Sequence, residues 1–482
     1  MAQPAVATNP FAPVTSGSNP FAFGSGNAGV QTASMSPMGL APVGTPTGSP
    51  LSPSPRADGY AAPYPVGGAA ASPQNWMPGT PGAPGPAPQM VAQAGDPVLQ
   101  GIEADMRRLA ASSAPRADIT TGYRDRSGET GLSTLKELSG TAKISTGMAG
   151  GRVGVQAQAV VLDSGRPTGS GLARFGRNGT AEAQAIVAEQ PSNLTQAATQ
   201  HDAGVAIAAT CEGDLVQADF GTTPLGFAKR NAAGGIAVTP RFSPEASARI
   251  FGERRPVTDS VLSYAGTIDP VTGQFWGAVM RSGGGASLSW DRDGTGGYID
   301  GAWHHYDGVG VRDNSSVQFN AGGYTRAYRD SRSTLTLGIN ANYQTYGNNQ
   351  NYFTYGHGGY FSPQSFFSVS FPVRFAMNTD RFEIAANVAP GYQSYEQDEA
   401  PLYPTDPVAQ IALDALKAQN SDVRARYDSL SETGFGLAAG ASVYYGLAGS
   451  TRVGGDINVN TFGQYNDVRT SVGIKQTLGG EK

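Results

Sequence analysis

Downstream of Pro115 the apolar side chains recur at every second position, in runs of about 8–11 residues, and this limits what the chain can become. A period of two places successive side chains on opposite faces of an extended strand, here one apolar face and one polar. The clearest run is Val317 to Tyr328. Val317, Phe319, Ala321 and Ala327 share one face; Gln318, Asn320, Tyr324, Arg326 and Tyr328 share the other. Beyond the turn signal Asp330-Ser-Arg-Ser, Leu335, Leu337, Ile339, Ala341 and Tyr343 alternate with Thr336, Asn340, Asn342 and Gln344. Phe367, Val369, Phe371, Val373 and Phe375 alternate with Ser368, Ser370 and Arg374. Near the end, Val453, Ile457 and Val459 oppose Arg452, Asp456, Asn458 and Asn460, and Val468, Val472 and Ile474 oppose Arg469, Ser471 and Lys475. Earlier strands, Ile119 to Arg126, Leu132 to Leu138, Val153 to Leu162 and Val205 to Cys211, are less regular.

A soluble β-sandwich alternates too, but its strands run about 5–6 residues and its outer face is rich in Lys and Glu. Here the runs are longer, and their polar faces carry Asn, Gly, Ser, Thr and Tyr with scattered charges of both signs. Aromatics gather near the run ends (Tyr343, Tyr346, Tyr352, Phe353, Tyr392 and Tyr395), where the interfacial girdles of a membrane barrel belong. The pattern predicts an all-β fold, an antiparallel transmembrane β-barrel of about 16 strands, wide enough for an aqueous channel. No stretch of 18 apolar residues offers a transmembrane helix.

The barrel is expected over 115–482. Residues 1–96 hold more than half of the 33 prolines, with Arg56 and Asp58 as the charges before residue 96. That composition predicts a disordered Pro/Ala/Gly/Ser-rich segment. The Asn-Pro-Phe-Ala copies at Asn9 to Ala12 and Asn19 to Ala22 read either as a docking motif or as linker. The first ten residues lack the basic region and apolar core of a secretory signal. Over 97–114, the spacing of Val98, Ile102, Met106 and Leu109 predicts one short amphipathic helix and a linker. Two polar insertions interrupt the strands. Gly165 to His201 reads as a loop, and Pro404 to Asn420 as a loop carrying a short helix.

The sequence offers little for catalysis. The adjacent His304 and His305 project to opposite faces of a strand and cannot share a metal ion, and neither nucleophile-elbow nor phosphate-loop spacing occurs. The expectation is no enzyme, no cofactor and no metal. A net charge of -5, from 33 basic and 38 acidic residues, leaves no nucleic-acid footprint. The lone Cys211 rules out a disulfide within the chain.

Between residues 253 and 280 the sequence becomes distinctive. Glu253-Arg-Arg-Pro-Val-Thr-Asp-Ser-Val-Leu-Ser-Tyr-Ala-Gly266, followed by Asp269-Pro-Val-Thr-Gly-Gln-Phe-Trp-Gly277, closely resembles the C-terminal domain of the bacterial cellulose synthase operon protein C family. Tyr123-Arg-Asp-Arg-Ser-Gly-Glu-Thr-Gly-Leu132, Thr222-Thr-Pro-Leu-Gly-Phe227 and Gly359-Tyr-Phe-Ser-Pro-Gln364 add to the likeness, which spans about residues 98–478. The resemblance implies a Gram-negative outer-membrane barrel through which β-1,4-glucan leaves the cell. It also implies an inner-membrane cellulose synthase complex as partner, reached through a periplasmic scaffold, with the N-terminal segment periplasmic. In that family the barrel follows a long array of tetratricopeptide repeats. No repeat of that period, about 34 residues, occurs here.

A neutral glucan with apolar sugar faces and hydroxylated edges calls for aromatic platforms and many weak, exchangeable hydrogen bonds. The polar faces supply Tyr324 and Tyr328 as platforms, with Gln318, Asn320, Asn340, Asn342, Asn458 and Asn460 as hydrogen-bonding partners. Arg326 and Asp456 are further lining candidates, and the inward charges are expected to pair across the lumen. Trp276, Trp290 and Trp303 are assigned to gate or girdle. A general porin and a structural adhesin barrel remain the alternatives.

Overall fold

The computed structural model describes residues 114–148, 151–213, 215–243, 245–379, 381–447 and 451–478. The segments expected to be disordered (1–96) and helical (most of 97–114) lie outside the described residues. The first stretch of wall runs β1 (Arg116–Arg126), β2 (Leu135–Met148), β3 (Gly151–Gly165), α1 (Gly169–Ala173), α2 (Asn178–Val187), β4 (Gln200–Glu212), β5 (Val216–Thr222), β6 (Ala232–Val238) and β7 (Ala246–Pro256). After α3 (Val261–Tyr264) and β8 (Thr267–Ile268) come β9 (Phe275–Arg292), β10 (Thr295–Val309), β11 (Asn314–Arg329) and β12 (Ser333–Tyr346). Next are β13 (Ser365–Ser370), β14 (Val373–Asn378), β15 (Phe382–Gln397), β16 (Ala400–Pro401), α4 (Pro407–Gln419) and β17 (Arg426–Tyr427). The chain finishes with β18 (Leu430–Gly446), β19 (Thr451–Asn460) and β20 (Asp467–Thr477).

Neighbouring wall strands pair antiparallel, and β1 pairs with β20 from Arg116↔Thr477 to Arg126↔Asp467, so the sheet closes on itself. Strands β13 and β14 are two halves of one wall strand, each pairing with β12 on one side and β15 on the other. Pro372, which has no N–H to give to the ladder, breaks them apart. Its carbonyl still accepts from Gly338 N at 2.8 Å, and Phe371 N donates to Pro390 O at 2.9 Å, so the wall stays sealed. Among the described residues the result is a closed antiparallel barrel of sixteen strands, as the alternation predicts.

The side chains sort by parity. Ile144, Val155, Val161, Ile207, Ile236, Ile250, Phe319, Ile339, Phe367 and Val472 are exposed on the outside, whereas Gln156, Gln158, Gln318, Asn320, Asn342 and Gln344 turn inward. An apolar exterior with a polar interior is what a lipid-embedded barrel requires. The two ends differ. Chain positions 116 and 477 sit at the end with short turns, such as Asp293-Gly294 and 330–332. Long connections 166–199, 257–274, 347–364 and 398–429 gather at the other end. Short periplasmic turns and long outer loops are the usual polarity of such barrels.

Strands β9 and β10 approach closely at Gly283, where an added Cβ would stand 2.1 Å from Trp303 O and 2.7 Å from His304 Cα. Only glycine fits between these backbones. Gly283→Ala is expected to weaken the barrel by ~1–3 kcal/mol through overpacking. The measurement is the temperature at which the compact, unheated gel band converts to the unfolded one, which should fall. An unchanged conversion temperature would refute the close packing.

Candidate functional site: the barrel interior and its loop layer

The interior of β10–β15 carries a row of polar side chains at one level. Register places Asp300 opposite Asn320, Asn320 opposite Asn342, Asn342 opposite Ser368, and Ser368 opposite Gln393. Asn320 Nδ2 donates to Asp300 Oδ1 at 3.0 Å, and Asn342 Nδ2 donates to Asn320 Oδ1 at 2.6 Å. One level toward the loops, Gln318 lies opposite Gln344. One level toward the turns, Tyr298 donates to Asn340 Oδ1 at 2.6 Å. Asp300, Gln344, Ser368 and Gln393 extend the row beyond the residues singled out from sequence. Gln344 had an available signal, two positions from Asn342 in the same alternating strand; the others join the row through strand register.

Tyr324 also faces inward, but its exposure is only 6%. Its ring and hydroxyl lie over Gly296, while Tyr298 reciprocally covers Gly322. The two rings lie flat in glycine seats on the wall. Tyr328 does not share this face. The register slips between Arg326 and Tyr328, leaving Ala327 as the extra residue and bringing Tyr328 opposite Leu335. A bulge of one residue reverses parity, so Tyr328 points outward, 53% exposed, with its hydroxyl donating to Asp330. It cannot serve as a lumen platform. Arg326 stays at the β9–β10 hairpin, its guanidinium against Gly294. Asp456 accepts from Ser471 Oγ at 2.6 Å and Asn458 leans on it at 3.4 Å. Asn460 Oδ1 accepts from Phe462 N, so it terminates β19 rather than lining open space.

The three tryptophans divide. Trp290 and Trp303 are exposed on the outer wall, whereas Trp276 is fully buried beneath the loops, with Phe175 at 5.4 Å and Tyr355 at 5.7 Å. The inward charges pair along the wall, between strands one or two places apart, and not across the lumen as expected. Arg124 of β1 holds Asp467 of β20 at 2.7 Å; Arg255 of β7 grips both oxygens of Asp219 of β5 at 2.7 and 2.8 Å. Glu253 takes Arg281 at 2.8 Å, and Glu383 pairs with Arg452. Neighbour pairing gives these charges partners along the wall, since a buried ion without a partner is strongly unfavourable.

Across the loop end, the residues from Arg255 through Gly266 are all buried. Arg124 Nη1 donates to Thr258 O at 2.9 Å and Arg126 donates to Asp259 O. Asp259 Oδ2 accepts from Phe361 N at 3.0 Å, and Ser260 Oγ donates to Gly359 O at 2.7 Å. Ser260 and Ser263 form a capping box on α3. A second centre is Arg177, which holds Asp269 at 2.8 Å and Asp406 at 3.2 Å while lying 3.5 Å from the Tyr355 ring centre. It joins four loops. Sequence reasoning saw these loops as connections, because their burial has no period.

His357 is buried among them, with Nε2 3.0 Å from Pro401 O and its ring edge-on to the stacked Tyr352 and Tyr427. Burial, the largest influence, pushes its pKa from 6.5 down to about 4. The loop layer therefore holds His357 neutral.

A closed barrel with an outward apolar belt, an amide-rich interior and a folded loop layer is a membrane-spanning β-barrel protein. The family described as "Cellulose synthase operon protein C C-terminus" matches residues 133–479, and this chain belongs to that family. Cellulose synthase operon protein C of Pseudomonas fluorescens is 34% identical over 356 residues, 72% of this chain and 26% of that protein. The protein of the same name from Komagataeibacter xylinus is 31% identical over 335 residues, 68% of this chain and 26% of that protein. The chain thus spans about a quarter of the length of these relatives. Among solved structures, a bacterial polysaccharide outer membrane secretin aligns over 76% of this chain and 99% of its own, at 8% identity and a TM-score of 0.46.

His357 gives the loop layer a pH dependence. Its neutral form is the one that fits, so its contribution is complete above pH 6.5 and is lost as pH falls toward about 4, where the buried ring takes up its proton. Trp276 emission should report this loosening as a red shift between those values. His357→Gln should flatten the response; an identical acid response in that variant would rule His357 out.

Proposed function

We propose that this chain forms an outer-membrane pore through which a β-1,4-glucan made by an inner-membrane synthase leaves the cell. The observation that carries this reading is that the family match covers nearly the whole barrel, from β2 to the end of β20. The partners are the glucan, the surrounding outer-membrane lipids and the synthase complex reached through a periplasmic scaffold, with the N-terminal segment on the periplasmic side. The chain acts as a conduit and not as a catalyst.

The amide row suits a neutral polymer. Each Asn or Gln offers both donors and an acceptor, so a sugar hydroxyl replaces one amide partner by another at small net cost. Conduction needs many such sites of similar strength, since one strong site would hold the chain back. Gln318, Asn320, Asn340 and Asn342, extended by Gln344 and Gln393, form this track, with Tyr324 and Tyr298 lying flat to leave the bore open. The residues do no work on the polymer; synthesis at the inner membrane drives it outward.

The test is single-channel current through the full chain in a planar bilayer, with cellohexaose added and a maltose oligomer of equal length as control. Transient block by cellohexaose alone is expected, and Asn320→Ala with Asn342→Ala should shorten the blocks. Current indifferent to both sugars would make the barrel a general porin.

A further inference from the structure

Two of the outer connections are built in opposite ways. Segment 257–266 leaves the wall at β7 and re-enters it at β9, yet its contacts reach far around the barrel. Val261, Tyr264 and Ala265 pack with Leu135 of β2 and with Val160 and Leu162 of β3. Its carbonyls at Thr258 and Asp259 receive the guanidinium groups of Arg124 and Arg126 from β1. On its own side, Val257 N donates to Val279 O at 2.8 Å, and Leu262 lies against Gly277. Strands β4 to β6 intervene between the two anchorages, so the segment crosses the mouth as a chord. Having no core of its own, it would lose its structure if lifted away.

Loop 398–429 is the reverse. Gln397 and Leu430, its points of departure and return, are direct register partners, so the wall hairpin is complete without it. Beyond them β16 and β17 pair only with each other, as a two-stranded neck. The loop carries α4 and packs Leu402, Tyr403, Leu413, Val423, Ala425 and Tyr427 into a cluster of its own, to which α2 adds Ala183. Its ties to the rest of the layer are an apolar contact with Ala183, Ile186 and Val187 of α2, and polar or aromatic ones: Arg177 on Asp406, Pro401 O on His357, the Tyr352–Tyr427 stack at 3.5 Å, and Asn420 Nδ2 donating to Ile186 O at 3.4 Å. The polar ties are exchangeable for water or sugar, and most of the loop's apolar burial is internal and travels with it.

We infer that loop 398–429 is the moving flap of the pore, swinging as a unit on its two-stranded neck, and that 257–266 is a fixed strut confining the exit to the side of the mouth lined by β10–β18. The inference rests on the export reading. The amide row of β10–β15 runs beneath that side.

The experiment uses the full chain with Cys211→Ser, in planar bilayers. In one variant a short Gly-Ser turn replaces 398–429; its open probability should rise by about tenfold or more. In a second, Ile186→Cys and Asn420→Cys are joined by a short reducible bis-thiosulfonate linker. Current should disappear when linked and return on reduction. In a third, Asp259→Ala should lower the unfolding temperature without raising current. A linked pore that conducts as well as the reduced one, a flap-less pore that stays shut, or a gain of current in Asp259→Ala would each overturn the assignment. Cellohexaose separates the two readings. Flap-dependent current that the sugar does not block keeps the flap and removes the glucan. Sugar block with current indifferent to the linker keeps the glucan and removes the flap.

Discussion

Hydrocarbon cannot hydrogen-bond, so each N–H and C=O that crosses the membrane must find its partner in the protein, and the ladder between β1 and β20 is where this demand is met last. Eleven register pairs from Arg116↔Thr477 to Arg126↔Asp467 join the first wall strand to the final one and remove the free edges. Antiparallel closure needs an even number of strands, which places both ends of the barrel segment at one rim and sorts the connections into short turns there and long loops opposite. The break at Pro372 shows how strict the requirement is. Where the ladder loses a donor, Gly338 N and Phe371 N supply bonds on either side, and the wall continues.

Closure also sets the electrostatics of the interior. Sixteen strands enclose more space than side chains of moderate size fill, so an inward charge cannot rely on a partner opposite. Each finds its counterion one or two strands away: Arg124 with Asp467, Arg255 with Asp219, Glu253 with Arg281, Glu383 with Arg452. Neutral amides gather at one level of β10–β15, around Asn320 and Asn342, beside Asp300. Amides and paired charges thus share the inner face, the amides clustering at that one level.

The strands were legible in the sequence because lipid on one side and polar groups on the other impose a period of two on every residue between them. Inward placement of Gln318, Asn320, Asn340, Asn342 and Tyr324 followed directly. Tyr328 was misplaced for a local reason: one bulged residue at Ala327 reverses parity, and no feature of the run marks it. The tryptophans could not be divided between gate and girdle, because Trp276 sits where α3 and β8 interrupt the alternation, whereas Trp290 and Trp303 sit inside it. The loop layer was the largest gap. Connection 166–199 was expected as plain loop, yet it contains α1 and α2 and contributes Leu172 and Phe175 to the same buried cluster as Trp276. Such clusters join residues far apart in the chain through contacts that have no period.

The distinctive block Arg254-Arg-Pro-Val-Thr-Asp-Ser260 gains its meaning from that layer. A run of small and polar residues at the mouth of a wide barrel would ordinarily be solvated. Here Thr258, Asp259, Ser260 and Ser263 are buried and hydrogen-bonded to wall arginines and to loop 347–364. Desolvating so many polar groups is unfavourable unless each is satisfied, and satisfying them fixes almost every side chain in the segment. Replacing any one strands a buried partner, so the segment tolerates little change in sequence or position. The flap, by contrast, carries its own cluster with it and meets its neighbours through an apolar contact with α2, a stacked tyrosine pair, one histidine and a few single hydrogen bonds. The difference in how the two segments are satisfied, more than any difference in length, separates the part of the mouth that holds from the part that yields.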